Sequence, residues 1–286
     1  MTRVVDLLAT GPTFSFEFFP PKTDAAQLSL LETIAQLEPL HPSFVSITYG
    51  AGGSTRERTR DLVAWVRRDT SITPMAHLTC IGHTKSEIDE IISKYLENGV
   101  DNILALGGDP STDDDQARPG EFSYARDLVE HLRTNEMLSI GVAAHPEVHP
   151  RSPDRRSDRE HLAAKLRIAD FAITQFFFEV DHYVQLVNEL ADLGVHTPII
   201  PGIMPITNKS QIQRMSQMSG ATFPLWLADR LADVDDSDEV QRIGIDTATQ
   251  LCTQLLEFGA PGLHFYTLNR STSTRQIYEN LGLNRT

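Results

Sequence analysis

The sequence predicts a (β/α)8 TIM barrel, in which eight parallel strands alternate with eight helices, as one domain over residues 1–286. Strand-like and helix-like segments alternate along the whole chain, and eight such pairs fit within its 286 residues. No Gly-x-Gly-x-x-Gly motif follows the first strand, which argues against an open, doubly wound sheet that binds a dinucleotide. We therefore expect one catalytic barrel that ends in a short C-terminal helix.

The eight predicted strands are separated by helical segments. The strands are expected at 14–19, 43–49, 74–80, 102–107, 139–145, 171–178, 197–203 and 262–268. The helices are expected at 24–38, 56–68, 85–98, 122–134, 158–169, 181–193, 208–218 and 237–258. The third helix has the clearest signals, because Thr84 and Glu87 form a capping-box pattern and Gly99 follows its apolar stripe. The longer connection at 220–236 is expected to be a lid or a surface excursion, and 271–281 to add the terminal helix.

The composition is that of a globular protein and excludes several classes of partner. The formal charge of −14 argues against nucleic acid or an anionic membrane as the main partner. Cys80 and Cys252 lie far apart in the sequence, so no disulfide framework is indicated and a reducing compartment fits. No stretch approaches the ~18 apolar residues of a membrane helix, and no leader pattern is evident. The expected location is the cytoplasm.

The first strand contains an acid in an apolar run. Phe14, Phe16 and Phe18 alternate with Ser15 and Glu17, so the carboxyl group and the aromatic rings fall on opposite faces. Burying a carboxylate is costly unless it is hydrogen-bonded or has a chemical role. A carboxyl group in such surroundings tends to retain its proton, which suits a general acid. A structural role, in which Glu17 holds a backbone amide, is the alternative.

Polar residues gather at the predicted carboxyl ends of the strands, where barrel enzymes carry their chemistry. The residues in question are Glu17, Ser46, Thr48, Tyr49, His77, Thr79, Gly107, Gly108, Asp109, His145, Glu147, His149, Gln175, Tyr266, Thr267 and Asn269. Asp109 could instead cap its loop, and Gln175 could satisfy a hydrogen bond in the core. The spacing of the histidines fits no standard zinc signature, so no metal site is predicted. The triple Phe at 176–178 is expected to pack the barrel, with at most one ring reaching the site.

Taken together and in order, these motifs resemble the methylenetetrahydrofolate reductase family over nearly the whole chain. The matching segments are FSFEFFPP at 14–21, TYGA at 48–51, HLTC at 77–80, ALGGD at 105–109, HPEVHP at 145–150, ITQFFF at 173–178, IPGI at 200–203 and HFYTLNR at 264–270. The chain resembles the bacterial catalytic-barrel form of the family. The resemblance implies reduction of 5,10-methylenetetrahydrofolate to 5-methyltetrahydrofolate with NADH, as a step of folate one-carbon metabolism and methionine biosynthesis.

The resemblance also implies a role for each matching residue. Glu17 would donate the proton to N10 that opens the substrate's five-membered ring, and Asp109 and Gln175 would complete the catalytic group. Phe177 and Met215 would join those three residues in binding the substrate. The positions that would line the flavin or nicotinamide pocket are Thr48, Tyr49, His77, Gly107, Gly108, His145, Lys165 and Tyr266.

The chain departs from the family pattern at flavin-contacting positions. Gly107 stands where the family commonly has Arg, and His145 stands where it has Tyr. In the helix after the fifth strand, the usual Asp-x-x-Asn-x-x-Arg-Lys becomes DREHLAAK at 158–165. Each lost charge-assisted contact removes roughly 1.5–3 kcal/mol of binding free energy. The sequence therefore predicts weak or no binding of FAD and direct hydride transfer from NADH, unless Arg159 or His161 replaces the lost contacts.

Other readings of the sequence remain open. The chain could be a flavin-dependent reductase of the same substrate, a pterin reductase that uses a deazaflavin, or a catalytically silent barrel that binds folate. Retention of Glu17, Asp109 and Gln175 argues against the silent barrel, which has no need of a proton donor. The sequence distinguishes neither NADH from NADPH nor a monomer from a homo-oligomer.

Overall fold

The computed structural model describes residues 2–49, 53–108 and 120–283, with side chains from residue 57 onward in the second range. Its strands all run parallel. They are β1 (Thr13–Phe18), β2 (Phe44–Ile47), β3 (Pro74–Thr79), β4 (Asn102–Leu106), β5 (Ser139–Ala144), β6 (Phe171–Thr174), β7 (Ile199–Ile200), β8 (Gly202–Ile203) and β9 (Gly262–Tyr266). Their order in the sheet is β7-β6-β5-β4-β3-β2-β1-β9-β8.

Helices follow the strands and cover the outside of the sheet. They are α1 (Val4–Thr10), α2 (Asp24–Leu37), α3 (Gly53–Asp69), α4 (Lys85–Glu97), α5 (Ala125–Leu132), α6 (Arg155–Leu166), α7 (Val180–Asp192), α8 (Lys209–Ser219), α9 (Leu225–Ala232), α10 (Ser237–Phe258) and α11 (Thr272–Asn280). The capping box expected before α4 is present, with Thr84 and Glu87 satisfying each other's backbone N–H groups. The predicted (β/α)8 barrel is confirmed.

The seventh strand of the barrel is split in two. It was predicted as one strand at 197–203, but Pro201 interrupts it, so β7 pairs with β6 while β8 pairs with β9. Proline has no N–H group to donate, yet its carbonyl still accepts the N–H of His264 at 2.9 Å. At Gly202 a Cβ atom would lie 2.2 Å from the Thr174 carbonyl oxygen and 2.6 Å from the Tyr266 ring. Only glycine allows this close approach, by which the sheet closes on itself.

The first strand alternates as the sequence predicts. Phe16 and Phe18 are fully buried on the outer face, and the Phe16 ring lies 5.3 Å from that of Tyr278 in α11. Ser15 and Glu17 consequently point into the barrel. This corrects one expectation, because the aromatic residues that flank Glu17 in sequence do not surround its carboxyl group in space. The neighbours of that carboxyl group come from other strands.

The amino end of the barrel is plugged by α1, a helix that the sequence-based assignment did not include. Val4 is fully buried and packs with apolar residues inside the barrel, among them Phe44 and Leu104. The Val4 N–H donates to Oδ1 of Asn102 at 2.7 Å, and the Val5 N–H donates to Oγ of Ser139 at 3.1 Å. These contacts link residues 98 and 134 positions apart, so local sequence signals do not reveal them.

The segment at 220–236 contains α9, which packs against the barrel. Leu227 and Leu231 are buried in a cluster that includes Phe178, Met204 and Ile243. The indole N–H of Trp226 donates to Glu179 at 3.2 Å, which ties α9 to the loop after β6. The predicted lid or excursion is thus a short helix with its own buried face.

We expect Asn102→Ala to reduce the free energy of unfolding by about 2–3 kcal/mol. The substitution leaves the buried N–H of Val4 without its acceptor and frees the Pro74 and Thr2 carbonyls that the Asn102 amide contacts. Urea unfolding measures the change. Asn188→Ala, at an exposed position of α7, is the control and should change stability by no more than about 0.5 kcal/mol. Equal effects of the two substitutions would show that the plug contributes nothing to stability.

Candidate active site

Three polar side chains surround Glu17 inside the barrel. Oε2 of Glu17 lies 3.4 Å from Nε2 of His77, 3.5 Å from Oγ of Ser46 and 3.6 Å from Nε2 of His264. These residues come from β1, β3, β2 and β9, and every one of them is at most 6% exposed. The adjacent parallel strands are in register at this level, with Glu17 opposite both Ser46 and Tyr266. The barrel therefore holds one carboxyl group within a polar cluster that is almost sealed from solvent.

The backbone around Glu17 is fixed by the turn that follows β9. Oγ1 of Thr267 donates to the Glu17 carbonyl at 2.6 Å. The Asn269 side chain accepts from the Phe19 N–H at 2.8 Å and donates to the Phe19 carbonyl at 2.9 Å. Leu268 and Asn269 both adopt left-handed backbone conformations, with φ of 51° and 57°. This turn anchors the carboxyl end of β1 and hence the position of the Glu17 side chain.

Burial keeps the imidazole of His77 neutral. Desolvation lowers the pKa of His77 to about 4, an effect that Glu17 opposes and His264 reinforces. At neutral pH the ring therefore brings no positive charge to the carboxyl group beside it. Among the described residues, none forms a hydrogen bond with Nε2 of His77, although Oε2 of Glu17 lies 3.4 Å from it.

Three further predicted site residues are Tyr266, Gln175 and Lys165. Tyr266 ends β9 and Gln175 follows β6, whereas Lys165 lies on α6 and its side chain reaches the carboxyl end of β5. The Tyr266 hydroxyl donates to the Thr174 carbonyl at 2.6 Å, and burial raises the pKa of this phenol well above its usual value. Oε1 of Gln175 accepts from the Phe176 N–H at 2.9 Å. Nζ of Lys165 donates to the Ala143 carbonyl at 2.6 Å, and desolvation lowers the pKa of Lys165 to about 8.

Two of the predicted pocket residues, Thr48 and Tyr49, follow β2 and are both partly exposed. The Thr48 N–H bonds to the Phe18 carbonyl at 3.0 Å, which places it beside the end of β1. The Tyr49 hydroxyl lies 3.0 Å from Nε2 of His83. Both residues thus lie at the same end of the barrel as Glu17.

The end of β4 offers an accessible backbone. Gly108 has φ of 82°, and a Cβ atom at this position would lie 2.6 Å from the Ile81 side chain. A Cβ atom at Gly107 would meet no atom of the described residues within 4 Å. The predicted catalytic residue Asp109 lies outside the described residues.

The loop between β5 and α6 is organised by Arg159, which is 3% exposed. Its guanidinium has five N–H donors. They bond to the carbonyls of His145, Pro146 and Glu147 and to two carboxylates. The carboxylates belong to Asp158 and Glu189. Because all five donors are used within the loop and against α7, the structure gives no support to the suggestion that Arg159 replaces a flavin contact.

Two other predicted residues lie near this loop. Desolvation lowers the pKa of His145 to about 4, with His149 adding to the effect, and the two imidazole rings lie 4.4 Å apart. His161, the other suggested replacement for a flavin contact, is exposed on α6.

Phe177 and Met215 do not lie together. Phe177 is 2% exposed, and its ring stacks on Tyr183 of α7 at 6.1 Å in the core outside the barrel. The expectation that Phe177 binds the substrate is therefore not supported, because strand β6 ends at Thr174 and the following residues no longer alternate. Met215 is partly buried on α8, where it packs against the cluster that contains Phe176 and Phe178.

The sequence analysis gave Ser46 no role of its own and did not single out Ser15 or His264. Their signal was present, since Ser15 shares the face of Glu17 and His264 shares the face of Tyr266 by the period-two rule. The contacts themselves were not readable, because which residue of one strand meets which residue of the next depends on register. Within the described residues, no group of three or more His, Cys, Asp or Glu side chains could hold a metal ion. No helix in the described ranges is long and apolar enough to cross a membrane.

A family model for methylenetetrahydrofolate reductase matches residues 3–282. The chain belongs to this family. The Escherichia coli protein named 5,10-methylenetetrahydrofolate reductase is 36% identical over 274 residues, which cover 94% of this chain and 90% of that protein. The Arabidopsis thaliana protein named methylenetetrahydrofolate reductase (NADH) 1 is 38% identical, over 98% of this chain and 51% of that protein. The chain thus spans about half the length of its plant relative.

A solved structure shares the fold at low sequence identity. It is described as an uncharacterized protein from Clostridium thermocellum that binds two copies of 5-methyl-5,6,7,8-tetrahydrofolic acid. The two chains superpose with a TM-score of 0.66 at 15% identity, over 98% of this chain and 96% of the other. Members of the methylenetetrahydrofolate reductase family and this more distant protein therefore share the barrel.

We expect His77→Gln to make the protein less sensitive to acid. A histidine of an unfolded chain has a pKa of about 6.5. The folded pKa of about 4 means that the unfolded state binds more protons between these values, so stability falls as the pH drops through this window. Removing the imidazole should reduce that loss by about 2–3 kcal/mol, as measured by urea unfolding at pH 7.5 and pH 4.5. The difference between the proteins should be constant above pH 7.5; parallel curves at every pH would contradict a neutral His77.

Proposed function

We propose that this protein reduces 5,10-methylenetetrahydrofolate to 5-methyltetrahydrofolate with NADH, and that hydride passes directly from the dihydronicotinamide to the folate. The observation that carries the proposal is the buried carboxyl group of Glu17 inside the barrel, in a chain that belongs to this reductase family. NADH is favoured as the donor because the plant relative is named for it. The substrates, the donor and the direct transfer are proposals for this chain.

The chemistry requires a proton before it requires a hydride. The methylene carbon of the substrate bridges N5 and N10, and breaking its bond to N10 leaves an iminium cation at N5. Protonation of N10 makes the departing nitrogen a better leaving group, which is the work of a general acid. The hydride then reduces the iminium carbon to a methyl group, and the carboxylate left behind takes up a proton from water. We assign the donation to Glu17.

Two further residues complete the proposed substrate site. Asp109 follows Gly107 and Gly108, and its charge would stabilise the iminium cation. Gln175 offers an amide donor and acceptor that match a pterin ring. Met215 is retained as a neighbour of the substrate on the α8 side.

The remaining proposed positions would hold the nicotinamide nucleotide. They are Thr48, Tyr49, His77, Gly107, Gly108, His145, Lys165 and Tyr266. The Lys165 ammonium and the open backbone at Gly107 suit a phosphate-bearing ligand.

The α6 region does not fit a tightly bound flavin. Family members commonly have Asn and Arg where this chain has His161 and Ala164. All five Arg159 donors bind protein groups, so the Arg159 guanidinium is not available to a flavin diphosphate. These losses support weak or absent binding of FAD and, with it, direct transfer.

We expect the protein to be colourless after purification and to follow sequential kinetics. Direct transfer needs NADH and methylenetetrahydrofolate bound together, so initial rates at several fixed concentrations of one substrate should give intersecting double-reciprocal lines. A flavin shuttle would give parallel lines. Stoichiometric flavin absorbance together with parallel lines would refute direct transfer and leave the reductase activity in place.

We expect Glu17→Gln to lower kcat by about 10²–10⁴-fold, because the amide cannot donate an acidic proton. Binding of methyltetrahydrofolate should change little, since the side chain keeps its size. Fluorescence titration and stopped-flow oxidation of NADH measure the two quantities. Glu160→Gln makes the same chemical change on the exposed face of α6 and should be silent. Unchanged turnover in Glu17→Gln would remove the general-acid role.

We expect the double variant His161→Asn/Ala164→Arg to gain affinity for FAD by about tenfold or more. The arginine restores one charge-assisted contact, which is worth roughly 1.5–3 kcal/mol. Equilibrium dialysis against FAD measures the gain, and Ala164→Gln, which adds length without charge, is the matched control. Equal affinity in all three proteins would mean that α6 does not decide flavin binding.

A further inference from the structure

A chain of buried polar groups leads away from Glu17 into the wall of the barrel. Oγ of Ser46 lies 3.5 Å from Oε2 of Glu17 and 3.3 Å from Nε2 of His264. Nδ1 of His264 lies 2.7 Å from Oγ of Ser15, which in turn lies 3.4 Å from the Leu263 carbonyl oxygen. Ser15, Ser46 and His264 are fully buried. None of the three residues has a part in the chemistry described above.

The Leu263 carbonyl, at the far end of these contacts, determines which groups donate and which accept. A carbonyl oxygen can only accept a hydrogen bond, so the Ser15–Leu263 contact is satisfied only if the Ser15 hydroxyl donates to it. Ser15 must then accept from His264, which requires the proton on Nδ1 of the imidazole. Nε2 of that ring is left as an acceptor and takes the proton of Ser46. The Ser46 oxygen can then accept from Glu17, and Glu17 donates only if it carries a proton.

If the hydrogen bonds pointed the other way, toward an ionised Glu17, one contact of the chain would have no hydrogen atom. An ionised Glu17 would accept from Ser46, Ser46 would accept from Nε2 of His264, and Nδ1 would accept from Ser15. The Ser15 proton would then be used toward His264, and its contact with the Leu263 carbonyl would hold no proton. The direction that starts from a protonated Glu17 uses every contact in the chain, and buried polar groups are overwhelmingly hydrogen-bonded.

We propose that Ser15, His264 and Ser46 are positioning residues that form a one-way hydrogen-bond chain, which stabilises the protonated form of Glu17 and aims the carboxyl group for donation. This inference rests on the proposed function, because it concerns how the general acid is kept ready. None of the three residues is assigned a contact with the substrate.

The other titratable groups around Glu17 are compatible with this direction. His77 on β3 is held neutral by burial, and the Tyr266 phenol on β9 is held neutral in the same way. The His77 and Tyr266 side chains are therefore uncharged at neutral pH. Among the described residues, no arginine or lysine pairs with the Glu17 carboxyl group, which would favour its ionised form.

The tautomer of His264 tests the chain without any need for turnover. We expect the proton on Nδ1, the tautomer that is less common in a free imidazole, because Ser15 must accept from it. Long-range ¹H–¹⁵N correlation spectra of the full protein labelled at histidine nitrogens distinguish the two tautomers, and the spectrum of His264→Gln assigns the signals. A proton on Nε2, or on both nitrogens, at pH 7 would overturn the inference.

The pH profile of kcat/KM tests whether the hydrogen-bond chain stabilises the protonated form of Glu17. Ser46→Ala cuts the chain beside Glu17, and Ser15→Ala cuts it at the far end, where nothing touches the carboxyl group. Each cut removes support from the protonated form, so the alkaline limb of the profile should move to lower pH, by about 0.4–1 unit for Ser46→Ala and less for Ser15→Ala. Activity at acidic pH should approach that of the wild type. Ser139→Ala, which removes a buried hydroxyl at the opposite end of the barrel, is the control and should not shift the limb.

The outcomes separate the two proposals. If the unmodified protein reduces no methylenetetrahydrofolate with NADH, the proposed function fails. The His264 tautomer then decides by itself whether the proposed hydrogen-bond chain is present. If the protein is active but the alkaline limb of the pH profile does not move in either serine variant, the proposed hydrogen-bond chain is overturned and the proposed function stands. The expected tautomer together with a downward shift supports both.

Discussion

Closure of the barrel is the constraint on which the rest of the structure depends. A closed sheet has one inside and one outside, so the alternation of β1 sends Phe16 and Phe18 to the helices and Glu17 to the interior. Closure occurs at Gly202, where the missing side chain admits the Tyr266 ring and the Thr174 carbonyl. Tyr266 is the register partner of Glu17, so the seam of the barrel and the proposed catalytic group adjoin each other.

Much of this architecture was readable from the sequence, because it rests on local periodicity. The order of strands and helices, the capping box at Thr84 and the inward direction of Glu17 follow from residues that are neighbours in the chain. The split at Pro201 could have been suspected from the missing N–H group, but its pairing with two different strands could not. The α1 plug was missed because its stability comes from Asn102 and Ser139, which are remote in sequence.

The candidate site was less predictable than the fold. Its residue types were identified, but their partners depend on register between strands, so the contacts of Glu17 with Ser46, His77 and His264 emerge only in three dimensions. Arg159 makes the same point. Its position in the α6 pattern suggested a ligand contact, whereas all its donors bind the protein. A charged residue near a site is available to a ligand only if the protein has not already paired it.

The plug formed by α1 affects how solvent and ligands reach Glu17. Val4 packs among Phe44 and Leu104, so apolar side chains fill the described part of the barrel's amino end. In the proposed reaction, water, folate and nucleotide would therefore approach Glu17 from the carboxyl ends of the strands. The proton and the substrate would therefore reach Glu17 through the same end of the barrel. A bound product would lie between the deprotonated Glu17 and the solvent. The product would therefore have to leave before water reprotonates the carboxylate.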